Sequence, residues 1–221
     1  NALLIFDEIV TGFRYSIGGA QELTNVTPDL TALAKAMSNG IPISAIVGKK
    51  KYMKSLAKTF FSFTYGGDCI GLAAAKASIT KIKKLNVPDH INKVGLILKN
   101  GLNKIINTYE LRDYFECIGY PCRSIFVFKG NGVFNELEMK TFLQQELFRR
   151  GILWAAYHSI SYAHKKKEIN KTLKAFNQVL KIFKNLFIEK KLKISTQLEG
   201  KTVKPVFRKV ADFNSIINKT S

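Results

Sequence analysis

The stretch Leu3-Leu4-Ile5-Phe6-Asp7-Glu8-Ile9 decides how the rest of this 221-residue chain is read. Branched apolar side chains running into two carboxylates have the pattern of a buried strand in a parallel sheet. The acids then emerge at the strand's carboxyl end, where open α/β sheets gather their ligands. Lys35 follows Asp7 after 28 residues. It stands between a helical pattern and the turn Ser38-Asn39-Gly40-Ile41-Pro42.

An acid and a lysine, each closing an apolar segment, suit the chemistry of pyridoxal phosphate. Its ring is an electron sink only while the ring nitrogen stays protonated, and a buried carboxylate keeps it so. Its aldehyde is held by a lysine whose amine is made nucleophilic by desolvation and nearby positive charge. Asp7 is the candidate for the first role and Lys35 for the second. The bland alternative is that Asp7-Glu8 caps the next helix and Lys35 is a solvated surface charge.

The text around the pair weighs against the bland reading. It runs Asp7-Glu8-Ile9-Val10-Thr11-Gly12-Phe13-Arg14, then Pro28-Asp29-Leu30-Thr31-Ala32-Leu33-Ala34-Lys35-Ala36, then Gly40-Ile41-Pro42-Ile43-Ser44-Ala45. In order, spacing and intervening residues this resembles the class III aminotransferases. The Thr-Gly-Phe-Arg and Gly-Gly-Ala-Gln-Glu segments are most similar to their glutamate-1-semialdehyde aminomutase branch. The resemblance implies an α/β, fold-type I pyridoxal-phosphate enzyme. Residues 1–85 would be the C-terminal part of the large cofactor domain, and 86–221 a smaller α+β domain with a tail. It also implies that Lys35 forms the internal aldimine and moves the substrate proton, that Asp7 bonds the pyridine nitrogen, and that Ile9 stacks on the ring. Val10 stands where many members carry a glutamine, as the aminomutase branch does. The family has more glycine at Met37-Ser38-Asn39, so the turn beside Lys35 is bulkier here.

Composition sets the remaining bounds. A chain of this length can hold one large or two small domains, each with a core. It begins inside a strand and is about half the family's length, so the upstream half, with its phosphate-binding loop, is expected to be missing. The formal charge is +19, which raises nucleic acid or anionic membranes as partners. The lysines, however, are scattered among Ile and Asn, without a nucleic-acid motif. No apolar run approaches a membrane span, so neither partner is expected. Cys69, Cys117 and Cys122 are odd in number and lack metal spacing, which favours a reducing, cytoplasmic setting. His90, His158 and His164 are too dispersed for a zinc site, and no metal is expected.

Further along, Thr27-Pro28-Asp29 opens a short helix, and Asp29–Leu33 could instead be a strand ending before Lys35. Gly12–Gln21 reads as loop, with Arg14 facing the active site or pairing with a local acid. Ile43–Val47 reads as a buried strand and Lys49–Lys58 as a basic helix. Thr64-Tyr65-Gly66-Gly67 precedes a helix from about Ile70 to Lys84, an arrangement that can bind an anion or simply be capped by Asp68. The family's threonine at the position of Thr64 reaches the cofactor phosphate of the neighbouring subunit, which implies a homodimer with shared active sites. Asp68-Cys69 replaces a common Asn-Pro and adds a negative charge there. Asn86–Asp89 breaks the helix and marks the expected domain boundary. Asp89–Asn107 reads as a helix, Phe115–Gly119 and Arg123–Lys129 as paired strands, and Glu136–Arg150 as a helix ended by Gly151. Ile152–Ala156 reads as a strand and Lys167–Glu189 as a long helix.

Between the last two, His158 is a candidate substrate contact, and His164 caps or pairs near the following helix. Arg208 in the tail could bind a carboxylate or phosphate, or form a structural salt bridge. The tail itself resembles the extension of aminomutase-like enzymes of sugar and surface-polysaccharide pathways. The expected activity is amino transfer from a small-molecule donor to an acceptor, or within one molecule as in an aminomutase. Two rivals are a catalytically inactive fragment or relative, and a basic polyanion-binding module.

Overall fold

The computed structural model describes residues 2–60, 64–130 and 132–205. These divide into two compact units. The first comprises Asn1–Leu98 with Gly119–Ser124 and Ser159–Ile169; the second comprises Lys99–Ile118, Ile125–His158 and Asn170–Ser221. The helix break expected at Asn86 is present, with Asn86 at φ 45° between α3 (Cys69–Lys84) and α4 (Val87–Thr108). The units part later than the expected 85/86 boundary, inside α4.

The first unit is built on a three-stranded sheet in the order β1-β2-β3. β1 (Ile5–Asp7) pairs in parallel with β2 (Leu30–Leu33), with Ile5 opposite Leu30 and Asp7 opposite Ala32. β3 (Ala45–Gly48) lies antiparallel to β2, with Ala45 opposite Leu33. The crossover from β1 to β2 contains the short helix α1 (Gly19–Thr24). Within residues 27–33 the strand Leu30–Leu33 forms, in place of the short helix that Pro28 suggested. Parallel pairing needs β geometry at Leu30–Leu33, and Thr31 is buried within it.

Two expectations are overturned here. β1 and β3 were read as buried strands, yet Ile5 is 60% exposed and Ile46 and Val47 are exposed too. An apolar run reports what a strand prefers to lie against, and among the described residues β1 and β3 each pair only with β2. The basic stretch after β3 is one turn of helix, α2 (Lys50–Met53), continued as a 3₁₀ segment to Lys58.

The second unit holds a dense aromatic core. Phe115 of the hairpin strand β4 (Phe115–Tyr120) meets Phe183 edge-on at 4.8 Å. Phe126 of its partner β5 (Arg123–Phe128) meets Trp154 at 5.4 Å. Helices α5 (Glu136–Arg149) and α6 (Lys166–Phe183) supply Phe142, Leu143, Leu147, Phe176 and Leu180, all buried. Beyond α6 the chain continues as a π-helical turn, Lys184–Glu189, which carries buried Phe187. The strand expected at Ile152–Ala156 is reduced to a single bridge between Ile125 and Tyr157. Ala156 sits at φ 69°, outside the β region.

The C-terminal segment is tied along α5. Gln145 donates to the Gln197 carbonyl at 3.0 Å and accepts from the Glu199 amide at 2.9 Å. Thr141 accepts from the Val203 amide at 3.0 Å.

Candidate active site

The two neighbouring carboxylates at the end of β1 have different fates. Glu8 is 1% exposed and accepts hydrogen bonds from the Ala20 and Gln21 amides at 2.8 and 3.0 Å and from the Thr11 hydroxyl. It satisfies the open N–H groups at the start of α1, the need that makes acids favourable there. Gly19, at φ 76°, has no room for a Cβ, which would fall 2.5 Å from the Glu8 carboxylate. Gly12 is confined in the same way between the Glu8 carbonyl and Leu33. The cap foreseen for Asp7-Glu8 thus belongs to Glu8, and Asp7 is left for other work.

Asp7 is exposed at the strand's carboxyl end, and Oδ1 accepts from the Ile9 amide at 3.0 Å. Its second oxygen has no hydrogen-bond partner among the described residues. Ile9 is half-buried. Lys35 lies three residues past Ala32, the residue opposite Asp7, at most about 11 Å of chain. It opens a 3₁₀ turn, Lys35–Met37, at φ 46°, a conformation that costs a lysine of order 1–2 kcal/mol. Its carbonyl accepts from Asn39 at 2.9 Å and from Ser38 at 3.2 Å. Its ammonium is exposed, with no hydrogen-bond or ion-pair partner among the described residues. Parallel pairing therefore brings Asp7 and Lys35 to one end of the sheet.

The other candidates are placed differently. Thr64 is exposed in the turn Thr64–Gly67 ahead of α3. Asp68 accepts from the Gly71 amide at 2.8 Å, so the start of α3 is closed by a carboxylate. Arg14 neither pairs with an acid nor stands free. Its Nη1 donates to the carbonyls of Ile160 and Cys122 at 2.9 and 3.1 Å, and burial lowers its pKa. Two carbonyls accept from one end of the guanidinium, and nothing in the local sequence marks them. Arg14 also lines a cavity of about 460 Å³ in the first unit, with Ala36, Asn39, Lys81 and Tyr162.

His158 is 6% exposed, and its Nε2 accepts from the Trp154 indole N–H at 3.0 Å. A buried indole needs an acceptor, and the Trp-x-x-x-His spacing is the signal that could have foretold it. His158 keeps the loop position expected for it but is buried against the aromatic core. His164 accepts from the Ser161 amide at 2.9 Å just before α6, a pairing close to the one expected. Arg208 lies outside the described residues. Among the described residues there is no cluster of metal-ligating side chains and no helix long and apolar enough to cross a membrane.

The model of the family described as aminotransferase class-III matches residues 1–119, more than half of the chain. The chain belongs to the class III aminotransferases. A 3-aminobutyryl-CoA aminotransferase of Cloacimonas acidaminovorans (strain Evry) is 35% identical over 185 residues, covering 81% of this chain and 44% of the relative. A glutamate-1-semialdehyde 2,1-aminomutase of Nitrosopumilus maritimus (strain SCM1) is 35% identical over 202 residues, covering 84% and 47%. Among solved structures, the FumI protein of Sphingopyxis sp. MTA144, in its PLP internal aldimine form, superposes with a TM-score of 0.76 at 21% identity, covering 85% of this chain and 44% of that one. An omega-transaminase from Sphaerobacter thermophilus gives 0.70 at 23% identity, covering 81% and 44%. The class III chain thus has the α/β fold of fold-type I transaminases, and it spans about half the length of the curated relatives it matches.

Proposed function

We propose that this class III chain carries the lysine and the ring-nitrogen acid of a pyridoxal-phosphate site that transfers amino groups. Transfer would run between a small-molecule donor and acceptor, or within one molecule as in an aminomutase. The single observation that carries the reading is the parallel pairing of β1 and β2. It sets at the same end of the sheet an acid with one oxygen open, and a lysine with an amine unengaged, among the described residues. These groups fit the cofactor: a carboxylate for a protonated ring nitrogen, and an amine for an aldehyde.

When bound, pyridoxal phosphate supplies an electron sink for charge developing at the substrate carbon. In this reading Asp7 holds the proton on the ring nitrogen through Oδ2, while Ile9 fixes Oδ1 through its amide and lays its side chain on the ring. Lys35 holds the cofactor and carries a proton at Nζ. Its left-handed backbone is the kind of strained conformation found where position matters. The Thr64 hydroxyl bonds the cofactor phosphate across a homodimer. The reading includes a cytoplasmic setting, supported by three cysteines that form no disulfide.

A second reading, a relative that no longer catalyses, is favoured by Asp7 being exposed and by the Asp68 carboxylate near the proposed phosphate position. One experiment separates the two. The purified chain is mixed with pyridoxal phosphate, its absorbance recorded, and the adduct reduced with borohydride and mapped by peptide mass. The cofactor mass on Lys35 is expected. Reduction spread evenly over surface lysines would reject the first reading.

A further inference from the structure

The turn that bears Lys35 is fastened by a residue to which no role has yet been given. Ser38 is 4% exposed, and its hydroxyl donates to the Ile41 carbonyl. Its own amide donates to the Lys35 carbonyl at 3.2 Å. Met37, just before it, is buried, and the turn packs against α3. Left-handed residues bracket the turn: Lys35 at φ 46° and Asn39 at φ 52°, with Gly40 at φ 120° behind them. Two non-glycine residues in that region so close together persist only if their surroundings hold them. The Asn39 amide also holds the Lys35 carbonyl, at 2.9 Å, but Ser38 alone among these residues ties the turn in both directions, back to Lys35 by its amide and forward to Ile41 by its side chain.

We infer that Ser38 is a positioning residue for Lys35: its buried hydroxyl holds the turn in the left-handed conformation from which the Lys35 amine is presented. The inference rests on the reading of Lys35 as the cofactor lysine. An exposed lysine side chain has about 2 kcal/mol of rotamer freedom, so the only part of its aim the fold can set is the direction of Cα–Cβ. That direction is set by the backbone that Ser38 locks. Without the hydroxyl, the Ile41 carbonyl loses a partner and Lys35 can relax to negative φ, turning its side chain away.

The test uses the 221-residue chain as wild type, Ser38→Ala and Ser38→Thr. Each is treated with pyridoxal phosphate and cyanoborohydride, and fixation at Lys35 is read against Lys49 in the same molecule by peptide mass. Loss of one hydrogen bond predicts that the Lys35-to-Lys49 ratio falls roughly fivefold to tenfold in Ser38→Ala. The threonine variant, which keeps the hydroxyl, should regain at least half of the loss. Acetic anhydride labelling of Lys35 without the cofactor should stay unchanged, since the amine is exposed in either conformation. Amide hydrogen exchange at Ser38 and Asn39 should quicken in the alanine variant.

An alanine variant with the wild-type ratio would overturn the inference while leaving Lys35 as the cofactor lysine. Equal losses in both variants would overturn it by assigning the effect to packing. A wild-type chain with no preference for Lys35 would overturn both this inference and the reading beneath it.

Discussion

The two units bury their apolar side chains to very different degrees. In the second, aromatic side chains from β4, β5, α5, α6 and the segments beside them interlock, and Phe115, Phe126, Phe142, Phe176, Phe183 and Phe187 are essentially inaccessible. In the first, the sheet that carries Asp7 and Lys35 leaves Leu3, Leu4, Ile5, Ile46 and Val47 open. Apolar burial contributes about 25 cal/mol for each Å² removed from water. Among the described residues the tighter apolar core is therefore that of the second unit, while the proposed site residues Asp7 and Lys35 lie in the first. The separation teaches that site and stability can be altered almost independently in this chain.

The largest effect that would test the separation is at Lys35. Lys35→Ala should abolish borohydride-stable cofactor at this position and leave the far-UV circular dichroism unchanged. Retained labelling of the same peptide would end the assignment. Asp7→Asn should follow, weakening cofactor retention at least tenfold, since it removes the charge that holds the ring proton. An unchanged dissociation constant would mean that another group holds the ring nitrogen.

The stability side predicts the opposite signature. Phe183→Ala should cost about 3–5 kcal/mol, read as a lowered denaturant midpoint, whereas Ile5→Ala at the open sheet should cost less than about 1 kcal/mol. Equal losses would show that the sheet is covered in solution and would dissolve the contrast.

The smallest effect concerns acid. Burial alone would raise the pKa of Glu146, but the Arg150 hydrogen bond and the charge of Arg149 outweigh it and hold the carboxyl below the usual range. A carboxyl depressed in the folded state stabilises fully above its unfolded pKa and loses that contribution as pH falls through the folded value. Stability should therefore decline on acidification below the ordinary glutamate range, and Glu146→Gln should flatten that part of the curve. An unchanged acid limb in the variant would assign the decline to other groups.

Much of the site's scaffold was legible in sequence because local signals and tertiary demands agree there. Leu3–Ile9 announces a strand that ends in acids, and the register of β1 on β2 delivers Asp7 and Lys35 to one end. Asp68 before α3 and Gly151 at the end of α5 mark those helices through caps that any reader of turns can find. What was not legible depends on partners remote in sequence. Nothing near Arg14 points to the carbonyls of Cys122 and Ile160. The apolar text of β1 states a preference for burial without stating what does the burying. His158 reads as a solvated loop histidine until Trp154 is seen to need an acceptor.

The paired bonds of Gln145 have a consequence for how the chain tolerates change. A single side-chain amide donates to Gln197 and accepts from Glu199, the alternation a neighbouring strand would offer. The segment is therefore indexed, as a ratchet tooth indexes a wheel: a shift by one residue turns the bonded backbone groups away from Gln145. Residues added within Gln197–Glu199 would throw the segment out of step with α5.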